Sequence, residues 1–465
     1  NMPLILGTNS IKDTGYDVDN SVRFNDDDSA YMHKTVSFGG ATSNQKWTIS
    51  VWVKRSNSNA AHQIISTGND SGNQTEIRFE AVGKFQYAEN ISSSETINVS
   101  TNALYRDPSA WYHLVCAVDT TQGTASNRVK LYVNGILQTS LSTTNYPTED
   151  AGTLINMGVN TGDGVHNIGR RQYNTDQYFD GYMAEFVWID GLQLAATSFG
   201  EFDSDSPTIW KPIDVSGLTF GNNGCYLDFE ASGNLGNDAN GGTDLTEVNL
   251  AAADQATDTC TNNFCTMNSR TKTSATLSEG NLKQATAGNS SVATFGVSAG
   301  TWYFEQKILG GVNEAHLGFA LDEAGIFSDA VTGSTVRGAG YVSLYSYDGK
   351  IYNESSATSS FATFAANDIV GFALDVDNGN VYLYQNGSAL NSGNAVVSGK
   401  TGKTWFPFGN FDAGDVTGIE HNFGGCPSFS ISSAQNDANG FGTFEYAPKS
   451  GYLSLCTKNL GSDGG

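Results

Sequence analysis

Trp47-Thr48-Ile49-Ser50-Val51-Trp52-Val53-Lys54 repeats with a period of two, placing Trp47, Ile49, Val51 and Val53 on one face and Thr48, Ser50, Trp52 and Lys54 on the other. Successive side chains of an extended backbone point to opposite faces, so this spacing predicts a strand half-buried against a second sheet. Val129-Lys130-Leu131-Tyr132-Val133 alternates in the same way and runs into Asn134-Gly135, a dipeptide that accepts the positive φ of a two-residue hairpin turn. The device returns at Val381-Tyr382-Leu383-Tyr384-Gln385, which ends in Asn386-Gly387. The strands upstream correspond as well, Val115–Asp119 before the first hairpin and Gly371–Asp375 before the second. Each half also opens a strand with Trp-Tyr, at Trp111-Tyr112 and Trp302-Tyr303. Two β modules built with one local device follow from the pattern.

Little in the chain repeats at 3.6 residues. A short helix is predicted at Leu194–Phe199, and no heptads encode a stalk. The 465 residues accommodate two or three domains of ~150 residues each. Charged residues are 15% and hydrophobic residues 38% of the chain, a balance that excludes an acidic disordered polymer. Against 48 Asp+Glu stand 24 Lys+Arg, a net charge of −24. Such a surface repels phosphate backbones and anionic lipid, so neither nucleic acid nor a membrane surface is an expected partner. No apolar run reaches the ~18 residues of a membrane span. The opening Asn1-Met2-Pro3-Leu4-Ile5-Leu6 lacks the basic flank of a secretory signal. Six cysteines are too few for a disulfide scaffold, and Cys116 reads as a small buried hydrophobe. The x4 spacing of Cys260 and Cys265 leaves a metal pair, a local disulfide and two free thiols open.

These signals divide the chain into an arm at 1–20, a first sandwich at 21–200, an extended Asn-, Asp- and Gly-rich connector at 201–285, a second sandwich at 286–430 and a tail at 431–465. The apolar cluster at Pro3–Leu6 makes the arm a candidate anchor. The expected fold class is all-β, two antiparallel sandwiches in series.

Ser21–Phe24, the Trp47–Val53 strand, Trp111–Val115, Leu131–Gly135 and Tyr178–Trp188 together resemble a concanavalin-A-like, laminin-G-like jelly roll. The resemblance implies two curved sheets that bind glycans or proteins, with glycosidases among the relatives. Trp302–Glu305, His316–Ala320, Asp368–Asp375, Val381–Gly387 and Trp405–Phe408 resemble a SPRY module, which implies a non-catalytic sandwich that binds partners through loops at one end. Thr197–Phe202, Ile209–Pro212, Thr261–Phe264 and Gly451–Leu460 are similar to connectors in virion fibre proteins of marine tailed phages. That likeness implies a place on the particle exterior, with other virion proteins and a host-surface glycan or protein as partners. It also implies a homo-oligomer, a trimer by family analogy. Capsid decoration without receptor binding and polysaccharide depolymerisation are the alternatives.

Retaining glucanases on this type of sandwich resemble one another in a Glu-x-Asp-x-x-Glu strand. The nearest stretch, Glu201-Phe202-Asp203-Ser204-Asp205, lacks the final Glu. Glu185 reads as a lone acid with Met183 and Val187 on the same face. With no Gly-x-Ser-x-Gly, His-Glu-x-x-His or phosphate loop either, the expectation is a protein that is not an enzyme. His113 fits a satisfied core residue better than a ligand. Candidate ligand-binding residues are Arg170, Arg171 and Tyr173, where Arg and Tyr could clamp a carboxylate-bearing sugar or pair internally at the rim. Tyr345, Tyr347 and Tyr352 could form an aromatic binding surface or pack on a strand face. Calcium is the cofactor to weigh, at Asp26, Asp27 and Asp28 and at Asp163 and Asp180, against the alternative of solvated acidic turns.

Overall fold

The computed structural model describes residues 15–463 except Phe38, Asn59, 158–163, 273–275, Thr286, Gly288, Val312, 325–334 and 412–414. They are nearly all β, and they divide into two compact units, Asp13–Thr261 and a second that begins at Asn262. No helix among the described residues is long and apolar enough to cross a membrane.

The first unit opens with β1 (Ser21–Phe24), β2 (Tyr31–Val36), β3 (Lys46–Arg55), β4 (His62–Asp70), β5 (Asn73–Phe79) and β6 (Phe85–Ile91). There follow β7 (Ser94–Thr101), β8 (Trp111–Asp119), β9 (Val129–Val133), β10 (Ile136–Leu137), β11 (Leu141–Asn145) and the single-turn helix α1 (Leu154–Met157). Then come β12 (Gly164–Ile168), β13 (Gly181–Asp190), β14 (Gly200–Phe202), β15 (Trp210–Pro212), β16 (Cys225–Leu227), β17 (Thr246–Val248) and β18 (Gln255–Ala256). One antiparallel sheet runs β10-β9-β8-β3-β13-β1-β18 with β16 beside β13; the other runs β11-β7-β6-β5-β4-β12-β2-β17.

On β3 the predicted inner face is the observed one: Trp47, Ile49, Val51 and Val53 enter the core, and Trp47 meets Tyr87 edge-on at 5.3 Å. The other face is not half-exposed as alternation suggested. Thr48, Ser50, Trp52 and Lys54 are buried too. Phe199, Trp210, Val215, Phe220 and Tyr226 form a second apolar cluster with Trp52 on that side. Residues 201–261, which composition had suggested as the start of a connector, thus join the first unit: β16 pairs with β13, β17 with β2 and β18 with β1. Their polar residues bond the turns between very short strands, as Asp238 does in accepting the Tyr226 N–H at 3.0 Å. The helix expected at Leu194–Phe199 is one 3₁₀ turn, Ala196–Ser198. Of the arm at 1–20, Tyr16 and Val18 pack on the second cluster; residues 1–14 lie outside the described residues.

The second unit holds β19 (Met267–Lys272), β20 (Leu277–Ser278), β21 (Lys283–Gln284), β22 (Asn289–Ala293), β23 (Thr301–Gly310) and β24 (Ala315–Leu321). It continues with β25 (Tyr341–Tyr345), β26 (Lys350–Asn353), β27 (Ser356–Ala357), β28 (Ile369–Asp375), β29 (Asn380–Gln385) and β30 (Ser388–Ala389). It ends with β31 (Trp405–Phe411), β32 (Val416–Asn422), β33 (Leu453–Ser454) and α2 (Thr457–Asp463). Its sheets run β19-β22-β31-β24-β25-β26-β27 and β20-β21-β32-β23-β28-β29-β30, and β33 from the tail segment lies parallel beside β23.

The two Asn-Gly hairpins share their bonds as well as their sequence. Asn134 and Gly135 have φ 47° and 78°, and Asn386 and Gly387 have φ 48° and 78°, the signature of a type I′ turn. The Asn134 side-chain oxygen accepts the His113 N–H at 2.8 Å, and that of Asn386 accepts the Ile369 N–H at 2.9 Å. Each asparagine's own N–H returns to the carbonyl of the same residue at 2.9 Å. An aromatic ring then lies on each glycine, Trp210 on Gly135 and Tyr446 on Gly387. A Cβ on Gly135 would fall 2.2 Å from the Trp210 ring in a left-handed backbone. Gly135→Ala is therefore expected to cost about 1–3 kcal/mol in urea denaturation. An unchanged midpoint would show that Trp210 is not seated on the turn.

Candidate functional site

In the first unit β12 lies between β4 and β2 and delivers Gly169-Arg170-Arg171 to the end of its sheet. The Arg170 guanidinium sits 3.7 Å from the centroid of the Tyr31 ring, and Tyr31 lies 6.5 Å from Tyr178 and 6.0 Å from His33. Among the described residues Arg170 makes no ion pair, and its Nε is buried without a hydrogen-bond partner. Burial and the Arg170 charge hold the His33 imidazole below its ordinary value. Arg171 behaves differently: its Nε donates to Asp176 at 2.6 Å, Glu76 lies 3.7 Å from its Nη1, and it covers Tyr173 at 4.9 Å. Its charge is spent inside the rim, the second of the two readings the sequence allowed. Tyr31 and Tyr178, which complete the Arg170 surface, escaped the sequence reading because β2 meets β12 only through the sheet.

In the second unit Tyr345, Tyr347 and Tyr352 do come together. Tyr345 lies 5.9 Å from Tyr347 and 6.2 Å from Tyr352 across β25 and β26, and Tyr347 is 66% exposed. Arg337 lies 4.7 Å over Tyr345 and 5.7 Å from Tyr352, with no carboxylate in ion-pair range among the described residues. Tyr352 donates to Asp348 at 3.0 Å, which fixes its ring. Beneath, His316 on β24 stacks on Tyr345 at 4.6 Å and is fully buried, and burial lowers it to about 3. Arg337 is the residue the sequence reading missed; a single arginine beside a turn carries no signal of its own.

Of the calcium candidates, Asp26 and Asp28 shape the turn between β1 and β2. The Asp26 carbonyl accepts from Ser29 at 3.1 Å, and the Asp28 carboxylate accepts from Asn25 at 2.8 Å. Burial raises Asp26. Asp27 is in the same turn, and Asp180 is buried just before β13, its carbonyl bonded to the Ser56 N–H at 3.0 Å. Asp163 lies outside the described residues. Among the described residues no three His, Cys, Asp or Glu side chains converge on a metal-sized point. Cys260 and Cys265 are not joined in a disulfide, and Cys116 is buried as expected.

Glu201 and Asp203 both pair with Lys211, at 3.5 and 3.4 Å, across the β14–β15 hairpin. Glu185 occupies a bulge where the β13–β3 register shifts between Ala184 and Val187, and its φ is 50°. The bulge splits the predicted same-face neighbours: Met183 enters the inner core and Val187 the outer cluster. Tyr226 donates to Glu185 at 2.8 Å and Tyr16 at 3.4 Å. Burial pushes the carboxyl up to about 8, with Asp228 and Glu230 adding repulsion. His113 accepts the Trp210 indole N–H on Nδ1 at 3.0 Å, so Nε2 carries the proton and donates to Ser50 at 2.8 Å. A serine base would need the opposite tautomer, and the histidine is a satisfied core residue.

Residues 25–193 match the Concanavalin A-like lectin/glucanases superfamily, a description that includes both binding proteins and hydrolases. No curated protein matches the chain. Among solved structures, the SPRY domain of human HERC1 is similar at 12% identity and TM-score 0.28, covering 35% of this chain and 99% of that one. A heptameric SAP-like pentraxin from Limulus polyphemus is similar at 16% identity and TM-score 0.28, covering 39% and 80%. The CBM40 of a Ruminococcus gnavus IT-sialidase, bound to α2,3-sialyllactose, is similar at 19% identity and TM-score 0.24, covering 30% and 74%.

Proposed function

We propose that this chain, with a lectin- and glucanase-related module at residues 25–193, recognises carboxylate-bearing glycans of a host surface from the exterior of a phage particle. One observation carries the reading. In each unit an arginine, Arg170 or Arg337, is stacked on tyrosine without a carboxylate partner among the described residues, in a chain of net charge −24. A guanidinium already held flat by a ring loses little freedom on meeting a carboxylate, and its fork matches the two oxygens. Tyr31 and Tyr178, or Tyr347 and Tyr352, supply rigid faces for the sugar ring. Each such site is weak alone, and several copies on one particle gain avidity. The place on the particle rests on the likeness of Ile209–Pro212 and Gly451–Leu460 to fibre connectors.

Retention of the purified chain on immobilised uronate- or sialate-bearing polysaccharide, and on intact host cells, tests the binding. Arg170→Ala with Arg337→Ala is expected to weaken it by about tenfold or more, one charge-assisted contact at each site. Retention untouched by the pair, or competed equally by neutral polysaccharide, overturns the reading. Absence of the chain's peptides from purified particles overturns the virion placement.

Binding without hydrolysis belongs to this reading, because the nearest acidic pair is engaged by Lys211. A depolymerase is favoured by one observation: Glu185, protonated near neutral pH in a left-handed backbone position, has the character of a general acid. Release of reducing ends abolished by Glu185→Gln would establish it.

A further inference from the structure

We propose that His33 couples the Arg170 surface to pH: a carboxylate docked at Arg170 is held more tightly once His33 takes up a proton. The inference rests on the reading of Arg170 as a carboxylate site and adds to it a second, conditional charge.

The placement comes from β2. Tyr31 and His33 are two residues apart on that strand, so alternation puts both side chains on one face, away from the core that takes Met32. The His33 and Tyr31 rings lie 6.0 Å apart, and the Arg170 guanidinium sits 3.7 Å from the centroid of the same Tyr31 ring. Imidazole and guanidinium are therefore within one Debye length of each other, about 10 Å at 0.1 M salt. Both side chains belong to half-buried residues, so a ligand can reach them while water screens them incompletely.

Among the described residues Arg170 is the charge felt at His33. Across β12 His33 faces Asn167 and across β17 it faces Thr246, both neutral. Glu247 and Lys34 are one residue along, on the opposite face of the sheet. Glu247 accepts the Gly236 N–H at 2.8 Å, and Lys34 donates to the Asn223 and Gly224 carbonyls at 3.2 and 3.3 Å. Asp176 and Glu76, carboxylates of the neighbouring rim, pair with Arg171. Tyr31 and Tyr178 are the other titratable side chains on the surface. The remaining histidines, His62, His113, His166, His316 and His421, are at most 1% exposed, so His33 is the imidazole able to answer pH near neutrality.

In the free protein, burial and the Arg170 charge hold His33 below 6.5. A carboxylate on Arg170 cancels that repulsion and adds attraction, so the ligand raises the imidazole. Linkage is reciprocal, and a ligand that raises a pKa binds more tightly where the group is protonated. The gain is complete below the free protein's value and vanishes above the bound one. Affinity therefore rises as pH falls from 8 to 5.5, a range in which sugar carboxylates stay ionised.

Proton NMR of the histidine ring signals of the full chain follows His33 directly, since the five buried rings stay silent in that range. Arg170→Ala is expected to raise the His33 midpoint, and so is saturation with trigalacturonate. Titration with trigalacturonate and sialyllactose in an Arg337→Ala background, which isolates the first unit's site, should give binding about threefold or more tighter at pH 5.5 than at pH 8. His33→Gln is expected to remove that difference. Equal binding at the two pH values, a difference that survives His33→Gln, or a His33 midpoint unmoved by Arg170→Ala overturns the proposal and leaves the carboxylate reading standing. Failure of both sugars to bind at either pH overturns the two together.

Discussion

Asp258→Ala is expected to lower the stability of the first unit by about 3–5 kcal/mol, the cost of leaving a buried charge without its partner. Lys54 on β3 meets Asp258 at 2.7 Å, and the two side chains are 1% and 2% exposed. The other Asp258 oxygen accepts the Trp111 indole N–H at 3.1 Å, and its carbonyl accepts from Ser21 at 2.6 Å. Removing the carboxylate takes the ion-pair partner from an ammonium whose side chain is 1% exposed and which lies 5.8 Å from the centre of the Tyr182 ring. Replacing both partners, Lys54→Met with Asp258→Leu, should cost less than Asp258→Ala alone, because no charge remains to desolvate. Urea denaturation followed by tryptophan fluorescence reads the effect, since five of the seven tryptophans lie in this unit. A loss below about 1 kcal/mol, the level of an exposed pair, would show that water reaches the site.

The first unit is expected to be most stable near pH 6.5 and to weaken on both sides. Burial lowers His62 and His113 to about 3 and His166 to about 4, from 6.5. Burial also raises Glu89 to about 7 and Glu185 to about 8, from 4.5. The histidines stay neutral in the fold but protonate in the unfolded chain, so their contribution is complete above pH 6.5 and lost as pH falls toward 3. The two carboxyls stay protonated in the fold but ionise when unfolded, so theirs is complete below pH 4.5 and lost as pH rises through 7 to 8. Inside its window each group moves stability by about 1.4 kcal/mol per pH unit. Between 4.5 and 6.5 three histidines outweigh two carboxyls, and stability climbs with pH; above 6.5 only the carboxyls act, and it falls. Glu185→Gln should flatten the fall between pH 7 and 8. A midpoint that keeps rising from pH 6.5 to 8 would show that Glu185 and Glu89 are ionised in the folded protein.

The hairpins were legible because a type I′ turn is decided by two adjacent residues and the bonds they make to the strand beside them. Asn134-Gly135 and Asn386-Gly387 carry that information locally. The inner face of β3 was legible for a similar reason, since alternation needs only one strand. The tyrosines at 345, 347 and 352 sit close enough in sequence to be suspected together. Arg337 and Tyr31 were not, because each reaches its partners only through packing. Glu185 was misread because a bulge inserts one residue and exchanges the faces beyond it, and nothing in Met183–Val187 announces where the extra residue falls.

The sequence alone determined the β class, two modules with a shared hairpin, the acidic balance of charge and the grouping of Tyr345, Tyr347 and Tyr352, all properties of composition or of residues near one another along the chain. The tertiary structure alone decided that residues 201–261 close the first unit and that Lys54 finds Asp258 across 204 positions. It alone decided that Arg171 is consumed by Asp176 while Arg170 keeps its charge free of any carboxylate among the described residues. Those outcomes depend on which distant groups exclude water from one another, and burial of that kind is a property of the assembled sheets and not of any local stretch.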